Sequence, residues 1–181
     1  MEPLARTLAG RLVDYRGEIV CGPLIEGAFI GLMVASALGL PFAYSEPRAA
    51  SGDARLFPVS YPIAKGLQTQ LMGRRVLVVN DVINAGSAVR GTLASLKAIG
   101  AEPVGIGCLA VLGDAPLALA ASADLDLEKL ASFSNTIWEP TACPLCAEGA
   151  PPTRLSRGDG ARLEDRDPSH AEPWISTTQS S

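Results

Sequence analysis

Apolar positions along this chain fall into two rhythms, a helical one and short continuous runs, and their alternation predicts most of its elements. Leu4, Leu8, Leu12 and Val13 recur at helical spacing, with Arg6, Arg11 and Asp14 elsewhere, so residues 3 to 13 read as an amphipathic helix. Ile19 to Cys21 predicts a strand that Gly22-Pro23 breaks, and Glu26 to Leu38 predicts a long apolar helix closed by Gly39. A second strand spans Pro41 to Ser45, and from Glu46-Pro47-Arg48 the stretch through AASGDAR has loop composition. Leu56 to Ser60 reads as another strand. Tyr61 to Met72 stays unassigned, because Pro62 and Gly66 oppose a long helix.

Val76 to Val79 is four consecutive apolar residues, the pattern of a strand buried on both faces of a parallel sheet. A helix follows from Ser87 to Ile99 and stops at Gly100. Val104 to Leu112 is a second apolar run, Pro116 to Ala123 an Ala/Leu-rich helix, and Leu125 to Phe133 one more short element. This succession predicts an α/β fold, an open and mainly parallel sheet with helices on both faces. Near residue 150 the composition changes to mixed charges and prolines without periodicity. Residues 1–149 are therefore expected to form one domain and 150–181 a disordered tail, which holds the single histidine, His170.

At 181 residues, 48% hydrophobic, the chain can bury one good core. A net charge of -4, without a basic cluster, argues against nucleic acid as a partner. No apolar run reaches membrane-spanning length and no signal-peptide core is present, so a soluble, cytoplasmic protein is expected. Four cysteines in so apolar a chain do not make a disulfide framework. Cys143-Pro144-Leu145-Cys146 has the spacing of half a zinc knuckle, but Cys21 and Cys108 fall on strand-like runs, so four thiolates would take two such turns across a two-fold and no metal site is assigned. A redox pair or a plain turn is the other reading of CPLC.

The chemistry concentrates between Arg74 and Gly100. In open parallel sheets ligands sit beyond the carboxyl ends of the strands, the edge where Asn80 and Asp81 are expected. A carboxylate there can accept hydrogen bonds from two vicinal sugar hydroxyls. Asn84, Ala85, Gly86, Ser87 and Ala88 are small and open a helix, so their amides can approach a phosphate. The other reading is that Asp81 and Asn84 only cap that helix and turn the chain.

VLVVNDVINAGSA resembles the phosphoribosyl pyrophosphate (PRPP) motif of type I phosphoribosyltransferases, a strand followed by two acids, two apolar residues and a small-residue turn. Its Ala-Gly-Ser-Ala ending is closest to the orotate branch, and the likeness covers roughly residues 18 to 146. The resemblance implies a phosphoribosyltransferase that carries the ribose 5-phosphate of PRPP to a pyrimidine-like base, orotate first, with Mg²⁺ and as a homodimer. It assigns Asp81 to the ribose hydroxyls as the catalytic position, and makes Asn80, Asp81, Val82, Ile83, Asn84, Ala85, Gly86, Ser87 and Ala88 the PRPP-binding segment. Gly22, Pro23, Leu24, Ile25, Glu26 and Gly27 would form the loop that faces pyrophosphate.

Departures from the pattern are also legible. Asn80 stands where the motif has its first acid, and Asn84 where it usually has Thr. Arg48, Asp53 and Arg55 occupy the region of the catalytic loop without a Lys or His there, and Lys65 is a substitute from farther along. About seventeen residues precede the first core strand, so the family's N-terminal hood is expected to be short or absent. These departures keep a second reading open, a non-catalytic PRPP or nucleotide sensor on the same fold.

Overall fold

The computed structural model describes residues 1–49, 59–136, 138 and 140–150. The chain divides into two compact units, Met1–Thr136 and Ile137–Ser181. The first holds α1 (Glu2–Leu12), β1 (Ile19–Pro23), α2 (Glu26–Leu38), β2 (Phe42–Ser45), β3 (Arg48–Ala49) and β4 (Val59–Ser60). It continues with α3 (Lys65–Leu71), β5 (Arg75–Ile83), α4 (Ser87–Ala98), β6 (Glu102–Leu112), α5 (Ala115–Ala123) and β7 (Leu127–Phe133). In the second unit a 3₁₀ turn, Pro140–Ala142, precedes the short helix α6 (Pro144–Ala147). The expected tail, with His170, lies outside the described residues after Ala150, as do Asp53, Arg55 and the first part of the strand expected at Leu56.

Five strands form one parallel sheet in the order β2-β1-β5-β6-β7. Its centre is β5, where Val76, Leu77, Val78 and Val79 are all buried. Alternation along the strand sends Val76 and Val78 to one apolar layer and Leu77 and Val79 to the other. The first layer is completed by Leu71 of α3, by Val89, Leu93 and Leu96 of α4 and by Leu119 of α5. Leu8 and Leu12 of α1 and Ile30 and Val34 of α2 complete the second. The expected α/β architecture, helices on both faces of an open parallel sheet, is what the chain adopts.

Three details differ from the sequence pattern. The buried stripe of α1 is Ala5, Leu8, Ala9 and Leu12, while Leu4 and Val13 are exposed. The two alanines leave room for α1 to lie against α2 and the sheet, and the Arg11 guanidinium donates to the Lys129 carbonyl on β7. Gly22-Pro23 does not break β1, because both residues stay in register with Tyr44 and Ser45 of β2. The amides of Val20 and Leu24 donate toward β2, so alternation turns the missing Pro23 donor toward β5, where pairing has already ended. Third, β3 and β4 pair antiparallel through Arg48 with Ser60 and Ala49 with Val59, so the stretch after β2 opens as a two-stranded ladder.

Candidate functional site

The central pair of strands parts before its carboxyl end. β1 pairs with β5 only from Ile19 with Val76 to Cys21 with Val78. Beyond that point β1 stays with β2 as far as Pro23 with Ser45, and β5 stays with β6 as far as Ile83 with Val111. Chain order also reverses here, since β1 leads to β2 on one side and β5 to β6 and β7 on the other. An open α/β sheet binds ligands at such a switch point. A cavity of about 310 Å³ occupies it, lined by Pro23, Leu24, Tyr61, Asn80, Asp81, Val82 and Ala88.

β5 runs five residues past its last pair with β1, so Asn80 to Ile83 are strand residues and not the loop beyond one. Asn80 is buried, and its side-chain amide donates to the Val82 carbonyl at 3.1 Å. Its carboxamide oxygen lies against Gly27, in space that a Cβ there would occupy. Asp81 is half-buried at the cavity wall. Its charge helps raise the buried Cys108 thiol, which burial above all pushes up to about 12, while Lys129 opposes the shift. Val82 is exposed at the cavity, and Ile83, included in the expected PRPP segment, turns instead into the core.

The helix-capping reading of Asp81 and Asn84 does not hold. No side chain caps α4, whose N-cap is Gly86. Asn84 accepts a hydrogen bond from the Asn135 side-chain amide at 2.9 Å. The Arg90 amide makes the first helical bond, to the Gly86 carbonyl at 2.9 Å, so the Ser87, Ala88 and Val89 amides lie ahead of it. Gly86 has φ 77, and a Cβ on it would sit 2.5 Å from Leu119. Only glycine suits both that backbone and that gap. A buried polar link steadies this end of the helix: Thr92 Oγ1 donates to the Ala88 carbonyl at 2.8 Å and lies 2.7 Å from the Ser45 hydroxyl.

The stretch expected as a pyrophosphate loop is shorter than its sequence suggested. Gly22 and Pro23 belong to β1 and Gly27 to α2, leaving Leu24 and Ile25 as the connection, joined by a cis peptide. The N-cap of α2 is Ile25, whose side chain makes no capping hydrogen bond. Pro23 and Leu24 line the cavity; Gly22 is buried beneath it, and the Glu26 side chain lies outside the description. Arg48 is exposed on the β3–β4 ladder and Lys65 at the start of α3, and neither lines the cavity.

Sequence reasoning missed Tyr61, which lines the cavity together with Asp81 and Ala88. Its ring lies on Gly91 of α4, where a Cβ would come within 2.7 Å of it. The available signals were an aromatic residue held extended before Pro62 and a glycine inside a helix that has no need of one.

A family model described as the phosphoribosyl transferase domain matches residues 3–140. The orotate phosphoribosyltransferase of Nitratiruptor sp. is 30% identical over 170 residues, covering 87% of this chain and 79% of that protein. That of Caldanaerobacter subterraneus is 27% identical over 150 residues, 83% of this chain and 72% of that protein. Among solved structures, adenine phosphoribosyltransferase from Thermoanaerobacter pseudethanolicus superposes with a TM-score of 0.60 at 22% identity, over 72% of this chain and 79% of that one. The Mycobacterium tuberculosis orotate enzyme in complex with PRPP gives 0.53 at 21% identity, over 73% and 72%. At such identities the structural likenesses speak for the fold alone.

Proposed function

Since this chain belongs to the type I phosphoribosyltransferase family, we propose that it transfers the ribose 5-phosphate of PRPP to orotate, with release of pyrophosphate. The observation that carries the reading is the cavity at the parting of β1 and β5, with a carboxylate on one wall and the first turn of α4 on another. Asp81 accepts the vicinal ribose hydroxyls. The amides from Ala85 to Ala88 and the Ser87 hydroxyl receive the 5′-phosphate, for which the uncapped start of a twelve-residue helix suits an anion. Leu24, Ile25 and Gly27, where β1 gives way to α2, face the pyrophosphate. Relatives at 27% and 30% identity that carry the orotate name support orotate as the acceptor.

The residues present fit Mg²⁺ in a limited way. No cluster of three or more His, Cys, Asp or Glu side chains among the described residues could hold a metal, so those residues offer no cage of their own. Asp81 can contribute one oxygen while the phosphates of PRPP supply others, the usual manner of binding this ion. When bound, it would neutralise charge on the departing pyrophosphate. The chain's own work is positional: it fixes the ribose through Asp81, anchors the 5′-phosphate, and keeps water from C1′ as positive charge develops there. A homodimer belongs to this proposal.

One observation favours a second reading, a PRPP-binding sensor without turnover. Asn80 is buried with its amide engaged by Val82, so position 80 contributes no charge to the site. An assay with PRPP, Mg²⁺ and a panel of orotate, uracil and adenine separates the readings. Orotidine 5′-phosphate formation is the expected result; PRPP binding without any nucleotide product selects the sensor, and no PRPP binding overturns both.

A further inference from the structure

Two of the four cysteines stand outside the chemistry described above. Cys21 and Cys108 are wholly buried in the sheet, and burial pushes both thiols up to about 12, which leaves them protonated and unreactive. Cys143 and Cys146 belong to the second unit, at the start and within the single turn of α6. Cys143 is half-buried and Cys146 exposed, so solvent-borne molecules can reach the pair.

The turn holds its shape without help from sulfur. The Ala147 amide donates to the Cys143 carbonyl at 3.1 Å, the Glu148 amide to Pro144 at 3.0 Å and the Gly149 amide to Cys146 at 3.1 Å. Cys143 is the N-cap of that turn and Cys146 its third helical residue, an arrangement that places an N-cap side chain beside the third residue's amide. The Cys146 amide, and then the Cys146 thiol, favour a thiolate on Cys143 and hold it below its ordinary value. Cys146 is held above its own, chiefly by that same thiol contact. Cys143 is thus the thiol of the pair that ionises more readily. Two thiolates fall short of the four ligands of a structural zinc site, and no described residue adds a third.

We infer that Cys143 and Cys146 form a redox-active pair that closes reversibly into an intrachain disulfide by exchange with a small-molecule disulfide. The Cys143 thiolate attacks one sulfur of the incoming disulfide, forming a mixed disulfide and releasing one thiolate. Cys146 then gives up its proton and attacks the Cys143 sulfur, closing the 143–146 bond and releasing the second thiolate. The protein loses two electrons and two protons, and the incoming disulfide becomes two thiols. The inference goes beyond phosphoribosyl transfer and does not depend on it.

The test uses the full chain, reduced and then equilibrated with mixtures of reduced and oxidised glutathione. After the remaining free thiols are blocked, intact mass and peptide mapping should show a species lighter by two hydrogens, with the link inside the 143–146 peptide. Cys146→Ser should trap one glutathione on Cys143, roughly tenfold faster than Cys143→Ser traps one on Cys146. Both substitutions fall on a solvent-facing turn, so folding is not at stake, and a thermal melt checks it. Thiols that stay free in oxidised glutathione alone overturn the inference. A link between chains, equal trapping rates in the two variants, or a metal that co-purifies stoichiometrically and shields both thiols would do the same.

Discussion

Asn80 and Asp81 are neighbours with opposite surroundings. The buried Asn80 amide donates to the Val82 carbonyl, whereas Asp81 stands half-exposed at the cavity wall. Asp81→Ala is expected to abolish PRPP binding by calorimetry and to change the melt little, because a half-exposed side chain outside any packing cluster contributes within about 0.5 kcal/mol. Wild-type affinity in that variant would mean that Asp81 has no part in binding. Asn80→Asp tests the missing acid. An aspartate cannot donate to Val82, so the unliganded variant should lose about 1 kcal/mol of stability. With PRPP and Mg²⁺ its turnover should rise about tenfold, or ~1.4 kcal/mol of transition-state stabilisation. Unchanged turnover would show that charge at position 80 does not limit the reaction.

The elements around the cavity are held by small-residue contacts more than by caps. Gly91 is one of them, since its missing side chain is what lets the Tyr61 ring lie on α4. Alanine there gains about 1 kcal/mol of helix propensity but must push the ring aside. Gly91→Ala should therefore melt close to wild type while PRPP affinity falls several-fold, with Tyr61→Ala showing a similar loss. Affinity unchanged in both would remove Tyr61 from the site. Thr92→Val strands the buried Ser45 hydroxyl and should cost about 1–2 kcal/mol in chemical denaturation. The order of elements was legible because runs such as Val76 to Val79 and the helix from Glu26 to Leu38, closed by Gly39, announce themselves by period and terminator. What was not legible depends on pairing partners. Whether Gly22-Pro23 ends a strand rests on where β5 diverges, and whether Ile83 faces ligand or core rests on β6. Asp81 and the uncapped turn before α4 could be found from residue types in sequence, whereas Tyr61 arrives from a segment with no clear period.

Across the whole molecule, burial of titratable groups sets how stability responds to pH. Cys21 and Cys108 rise from 9.0 to about 12, and Tyr15, desolvated and bonded to Glu128 at 2.9 Å, rises from 10.0 to about 12. All three favour the protonated form in the folded state. Their contribution is complete below the unfolded values and is lost as pH climbs toward about 12, so the melting temperature should fall steadily on the alkaline side. Cys108→Ala should make that fall shallower; an identical slope would mean the thiol does not report on folding. A different consequence follows from Gly27 and Asn80, which touch across the parting of the two central strands. The two walls of the cavity are separated by more than fifty residues of chain, yet at this point they share one volume. Any lineage that enlarges position 27 has to shrink or redirect position 80, so these two sites should vary as a couple among related chains.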